Sequence, residues 1–232
     1  GCFLLQNIGT TPIDPGDGLI LTLACDGRGL PCYALEGSVF IAGAVIQWLR
    51  DGLGLIQDAS QTQSLAESVS DAHGVYMVPA FAGLGAPYWD MYARGAILGI
   101  TRSTTKAHIV RAALEGIAYQ VKDLVGAFER CTNKPFGDLR VDGGACRNDF
   151  LMQFQADILG CPVDRSKHVE STGMGASYLA GIAAGVWEPG EAICRLRESD
   201  MVFVPMIDHT TREKLYEGWL DAVARVRSGQ RA

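Results

Sequence analysis

The sequence predicts one α/β domain with a mixed sheet flanked by helices, and three observations carry that expectation. Short apolar or alternating segments separated by glycine-rich turns fill roughly the first forty positions. A long helical stripe follows between Ala107 and Arg130. Beyond it, a strand running into Asp142-Gly143-Gly144 precedes a second helix. The 232 residues are 48% hydrophobic and 20% charged, enough for one buried core.

Taken in order, Phe3 to Ile8, Leu19 to Ala24 and Cys32 to Leu35 read as a three-stranded antiparallel meander. Asp14-Pro15-Gly16-Asp17-Gly18 and Asp26-Gly27-Arg28-Gly29 supply its turns. At Val39 the period becomes helical, with Val39, Ala42, Ile46 and Leu49 on one face. A polar helix is expected from Gln61 to Ser70 and a short strand from Tyr76 to Pro79. Phe81 to Gly95 reads as an irregular loop with four aromatics.

In the central helix Val110, Ala113, Leu114, Ile117, Val121, Leu124, Val125 and Phe128 form the apolar stripe. Leu139 to Val141 is a strand, Asn148 to Leu159 a helix, Pro162 to Asp164 a strand and Thr172 to Ala184 a helix. A last helix starts near Thr210, where Thr210-x-x-Glu213 has the form of a capping box. Neither a linker nor a repeat interrupts this order. It suits a ribonuclease-H-like lobe, although other α/β folds share it.

Composition excludes several function classes. A net charge of −6 leaves no basic excess for a phosphate backbone, so nucleic acid is not an expected partner. No apolar run approaches a membrane span and no signal peptide is visible, so no membrane partner is expected. The seven cysteines are scattered without a C-x-x-C pair, which reads as free thiols in a reducing cytoplasm. The chain opens on Gly-Cys-Phe rather than methionine, so an upstream segment is expected. P-loop, nucleophile-elbow and protein-kinase motifs are absent. Gly173-Met174-Gly175-Ala176-Ser177-Tyr178 lacks the third glycine of a dinucleotide fingerprint.

What remains is the turn at Gly143-Gly144. A strand ending in two glycines before a helix lets a ligand approach free N–H groups closely, although double glycines also occur in ordinary connections. Asp142 is either a functional carboxylate or a cap on that turn. Gly43 and Gln47 lie four apart on one helical face. That spacing serves either a ligand or close helix packing with an exposed glutamine. The loop Gly83-Leu84-Gly85-Ala86-Pro87-Tyr88-Trp89-Asp90 is a recognition surface or a plug in the core. The four histidines show no paired spacing and read as surface or capping residues, so no metal-ligand or catalytic set emerges from the residues.

Longer motifs add a resemblance. Val78-Pro79-Ala80-Phe81-x-Gly83-Leu84-Gly85-Ala86-Pro87-Tyr88-Trp89-Asp90 resembles the segment that sets glycerol kinases apart within the FGGY sugar-kinase family. Gly95-x-Ile97-x-Gly99-Ile100, followed by His108-Ile109-x-x-Ala112-Ala113-Leu114-Glu115, is similar to the general FGGY signature. Val141-Asp142-Gly143-Gly144-Ala145-x-x-Asn148, continuing to Gly160, is similar to the glycerol-kinase adenosine motif. The resemblance runs from Gly1 to about Trp219.

The resemblance implies an actin-like ATPase architecture of two ribonuclease-H-like lobes, of which residues 1–232 are the C-terminal, nucleotide-binding one. It implies ATP with Mg²⁺ as cofactors, transfer of the γ-phosphoryl group to glycerol, and a cytoplasmic enzyme. Gly43 and Gln47 would contact the nucleotide, Gly144 and Asn148 its adenosine end, and Phe3 the glycerol carbons. The partners implied are glycerol with the N-terminal lobe and ATP or ADP, with self-association left open. The family's catalytic aspartate would stand upstream of Gly1, so no catalytic residue is assigned and this chain alone is expected to be inactive. The partner strand of Phe3 to Ile8 would also stand upstream, leaving an unpaired edge. Two alternatives stay open: a lobe of another FGGY sugar or polyol kinase, and a non-catalytic nucleotide-binding or interaction module.

Overall fold

The computed structural model describes residues 1–16, 18–26, 28–168, 170–190, 193 and 195–229. Strands β1 (Cys2–Gly9), β2 (Ile20–Cys25) and β3 (Pro31–Val39) form an antiparallel sheet in the order β1-β3-β2. The expected meander is therefore corrected: β3, last in sequence, is central. Its side chains explain the place, since Cys32, Ala34, Leu35 and Val39 are all buried, whereas β1 and β2 keep Phe3, Leu5, Ile20 and Leu23 exposed. Val39 ends this strand, so the next helix, α1 (Gly43–Asp51), starts later than the periodicity suggested. It buries Val45 and Leu49.

Helix α2 (Gln61–Glu67) is short, and strands β4 (Tyr76–Val78) and β5 (Ala96–Leu98) pair across the aromatic loop. Helix α3 (Lys106–Thr132) is the central member, entered through a capping box between Thr105 and His108 and closed by Asn133 at φ 51°. The expected apolar stripe is part of a wider buried surface that includes Glu115, Gln120 and Asp123. At Gly116 the helix lies directly on β4: a methyl group there would fall onto the Met77 carbonyl oxygen. This explains a glycine in mid-helix despite its poor propensity. Gly116→Ala is expected to destabilise by about 1–3 kcal/mol, as overpacking does, read as a lower urea midpoint.

Strand β6 (Leu139–Val141), a 3₁₀ turn (Gly144–Arg147), helix α4 (Asp149–Leu159) and strand β7 (Val163–Ser166) follow. Then come helix α5 (Ser171–Ala183), strand β8 (Ser199–Phe203) and helix α6 (His209–Val226). Strands β6 and β7 pair parallel and β7 and β8 antiparallel, giving the mixed sheet. Its β8 has no counterpart in the sequence reading, because Ser199-Asp200-Met201-Val202-Phe203 is largely exposed and lacks a clean alternation. Helix α6 starts earlier than the Thr210 box. Asp208 caps it, accepting hydrogen bonds from the Thr211 N–H and hydroxyl at 2.9 Å each.

The edge strands β1 and β6 face each other across a cavity of about 940 Å³, floored by α3 and α4. The second edge of β1 is thus open among the described residues, as is that of β6.

Candidate functional site

Beside that gap lies a smaller cavity of about 480 Å³, and the geometry of the βα turn shapes it. Gly143 holds φ 88°, a conformation that favours glycine, and redirects the chain from β6 into the 3₁₀ turn. Gly144 follows in an ordinary conformation, and a side chain added there would meet nothing within 4 Å. The same is true of Gly43 at the start of α1. Close helix packing, the plain reading of Gly43, is therefore not what excludes a side chain. Both glycines line the smaller cavity, where a Cβ would stand in open space.

Gln47 and Asn148 complete the set, so the four residues singled out for a nucleotide line one cavity. Asn148 has a further duty. Its Oδ1 accepts from the Leu151 N–H at 2.9 Å, capping α4, while its Nδ2 donates to Thr62 Oγ1 at 2.9 Å. Its amide is thus committed to the protein and shapes the wall. Phe3 does not join them: it is 66% exposed and lines the larger cavity. Gly43 and Gly144 line both, so the two spaces adjoin.

The wall opposite was missed from sequence. Ala59, Ser60, Thr62 and Gln63, at and before α2, face α1 across the cavity. The available signal was Thr62, an ordinary polar residue on a short helix that proves only 1% exposed. Ile46, Leu114, Ile117 and Leu151 make an apolar lining, and among the described residues its charges are Arg50 and Arg147. Arg50 pairs with Asp51 at 2.7 Å on the surface. With Arg50 offset by Asp51, Arg147 leaves the described lining positive in a chain of net charge −6, which suits an anionic ligand with an apolar body.

The acidic groups lie elsewhere. Asp142 is exposed, and the turn beside it closes through the Cys146 thiol, which donates to the Asp142 carbonyl at 2.8 Å, so the Asp142 side chain is not its cap. Burial pushes the Cys146 thiol up to about 12, which removes it as a nucleophile near neutrality. Among the described residues no group of three or more His, Cys, Asp or Glu comes together.

The aromatic loop is tied into the protein through two adjacent residues, Trp89 and Asp90. Trp89 Nε1 donates to the Gly18 carbonyl at 2.6 Å and its ring meets Phe40 at 5.9 Å. Asp90 accepts from the Ser228 N–H at 2.7 Å, holding the segment just after α6. The loop staples the first sheet to α6, although Tyr92 at its tip is 81% exposed.

Residues 1–184 match the FGGY family of carbohydrate kinases, C-terminal domain. The chain belongs to that family. It is 55% identical over 225 residues to glycerol kinase 2 of Thermotoga maritima, covering 97% of this chain and 45% of the relative. It is 54% identical over 227 residues to the glycerol kinase of Carboxydothermus hydrogenoformans, with 98% and 45% covered. The crystal structure of Plasmodium falciparum glycerol kinase with ADP superposes at a TM-score of 0.89, with 38% identity, over 97% of this chain and 45% of that one. The gluconate kinase of Lactobacillus acidophilus shares the fold at a TM-score of 0.84 and 24% identity. This FGGY chain spans less than half the length of the relatives it matches and corresponds to their C-terminal part. Among the described residues no helix is long and apolar enough to cross a membrane.

Proposed function

We propose that this chain is the nucleotide-binding lobe of a glycerol kinase, taking ATP and, with an N-terminal lobe, serving phosphoryl transfer to glycerol. The observation that carries the proposal is the 480 Å³ cavity in which Gly43 and Gly144 leave room for a ligand's close approach. ATP would bring the transferable phosphoryl group. Ile46, Leu114, Ile117 and Leu151 would take its apolar face, Gln47 and the N–H groups at the start of α1 would bind polar atoms, and Arg147 would face negative charge. Transfer of this kind rests on positioning and charge stabilisation between two bodies. The base for the glycerol hydroxyl would come from the other lobe, and Phe3, on the larger cavity, would pack against glycerol carbons. This lobe alone is then a binder without useful turnover. The free thiols of Cys2, Cys25, Cys32, Cys146 and Cys161 suit a reducing cytoplasm.

Calorimetric titration with ADP tests the reading. The chain should bind ADP, and Gly144→Val should weaken binding at least about tenfold, which is about 1.4 kcal/mol. Equal affinity in the variant would move the site elsewhere.

A further inference from the structure

We infer that Arg111, clamped by Glu115, is a positioning residue for the candidate nucleotide cavity: it sets the place of α2, the cavity's second wall. The inference rests on the nucleotide reading above.

Helix α2 has only seven residues, too few to hold its own shape or place, so tertiary ties must supply both. At its start the ties come from the turn. Asn148 Nδ2 donates to Thr62 Oγ1 at 2.9 Å, and the Asp149 N–H donates to Gln63 Oε1 at 3.1 Å. At its far end, beside the buried Ala66, the polar tie among the described residues is one side chain. Arg111 Nη1 donates to the Ala66 carbonyl at 3.2 Å and the Val69 carbonyl at 2.7 Å, satisfying acceptors that a helix end leaves unpaired.

The same guanidinium reaches the other wall. Its carbon stands 4.9 Å from the centre of the Phe150 ring, on the first turn of α4 and two residues beyond Asn148. Its Nε donates to Glu115 Oε1 at 2.8 Å, one turn along α3. With side-chain exposures of 15% for Arg111 and 5% for Glu115, the pair sits inside the protein. Arg111 does not line the cavity; it acts through α2, whose Thr62 and Gln63 do. The planar fork engages the carboxylate and both carbonyls at once. A lysine ammonium, a single point on a flexible stem, cannot reproduce that arrangement.

The test compares the wild-type chain with Arg111→Lys by hydrogen exchange and by titration with ADP. In the variant, amides of residues 61–67 should exchange at least about tenfold faster, while those of α1 and the α4 interior keep their rates. The ADP dissociation constant should rise about tenfold. Equal exchange in α2, or faster exchange spread over the whole chain, would overturn the positioning role. So would unchanged ADP affinity beside faster α2 exchange. A wild-type chain that binds no ADP would overturn the nucleotide reading and with it the claim on the cavity, while the exchange result would still decide whether Arg111 holds α2.

Discussion

Asp123→Ala is expected to cost about 3–5 kcal/mol, a large share of the ~5–15 kcal/mol that holds a domain folded. Asp123 is 4% exposed on α3. Its Oδ1 accepts from the Tyr216 hydroxyl at 2.7 Å and its Oδ2 from Trp219 Nε1 at 2.9 Å, so it is a polar anchor of α6, beside Arg212, which donates to the Asp157 carbonyl. Burial pushes its carboxyl up to about 6, offset by these donors and by Arg130 nearby. Trp219 is fully buried and stacked on Tyr119 at 5.2 Å. Removing the carboxylate leaves the indole N–H and the phenol O–H without acceptors in the core and opens a void beside them. Urea unfolding followed by tryptophan fluorescence should show the midpoint falling with an unchanged slope. Asp123→Asn, which keeps one acceptor oxygen, should recover part of the loss. A loss below about 1 kcal/mol in the alanine variant would mean that α6 is held by its apolar face and by the Arg212 and Tyr76 hydrogen bonds without need of Asp123.

Asp123 also marks where sequence reading stops. The pattern from Val110 to Phe128 revealed the long helix and its apolar face, because periodicity is a local property. It gave no reason to place Glu115, Gln120 or Asp123 inside, since their partners are remote or of another kind. Trp219 is 96 residues away, and the Ile41 carbonyl that accepts from Gln120 Nε2 is 79 away. Gly144 was legible for the opposite reason. It sits in a recognisable local motif, Gly43 came only with the family resemblance, and the structure adds that no packing explains either. The order of the first sheet was not legible, because nothing in three short strands says which is central until α3 covers one of them. Gly37 on β3 shows that cover, since a methyl group there would press on Leu124 and Phe128.

Raising the pH from 5 to 8 is expected to destabilise the chain by about 3 kcal/mol, and Glu115 is the largest contributor. Burial pushes its carboxyl from the usual 4.5 up to about 7, against the pull of Arg111. A buried acid with a raised value binds its proton more tightly folded than unfolded. Its stabilising effect is therefore full below about 4.5 and is lost as the pH climbs through about 7. The surface carboxylates act in the opposite sense but lower on the scale. Asp26, Asp58 and Asp208 are held below 3.8 by hydrogen bonds, so their effect changes only in more acidic solution. Asp123 adds to the same downward trend, mostly between about 4 and 6. Glu115→Gln separates the contributions, because glutamine offers Arg111 Nε an acceptor oxygen without a titrating proton. Urea midpoints of the two proteins at pH 5 and pH 8 should diverge, with the wild type falling steeply and the variant keeping only the smaller decline that Asp123 brings. A wild type that gains stability across that range would show that Arg111 outweighs burial and keeps Glu115 ionised throughout, because the pair would then need no proton to stay inside the core.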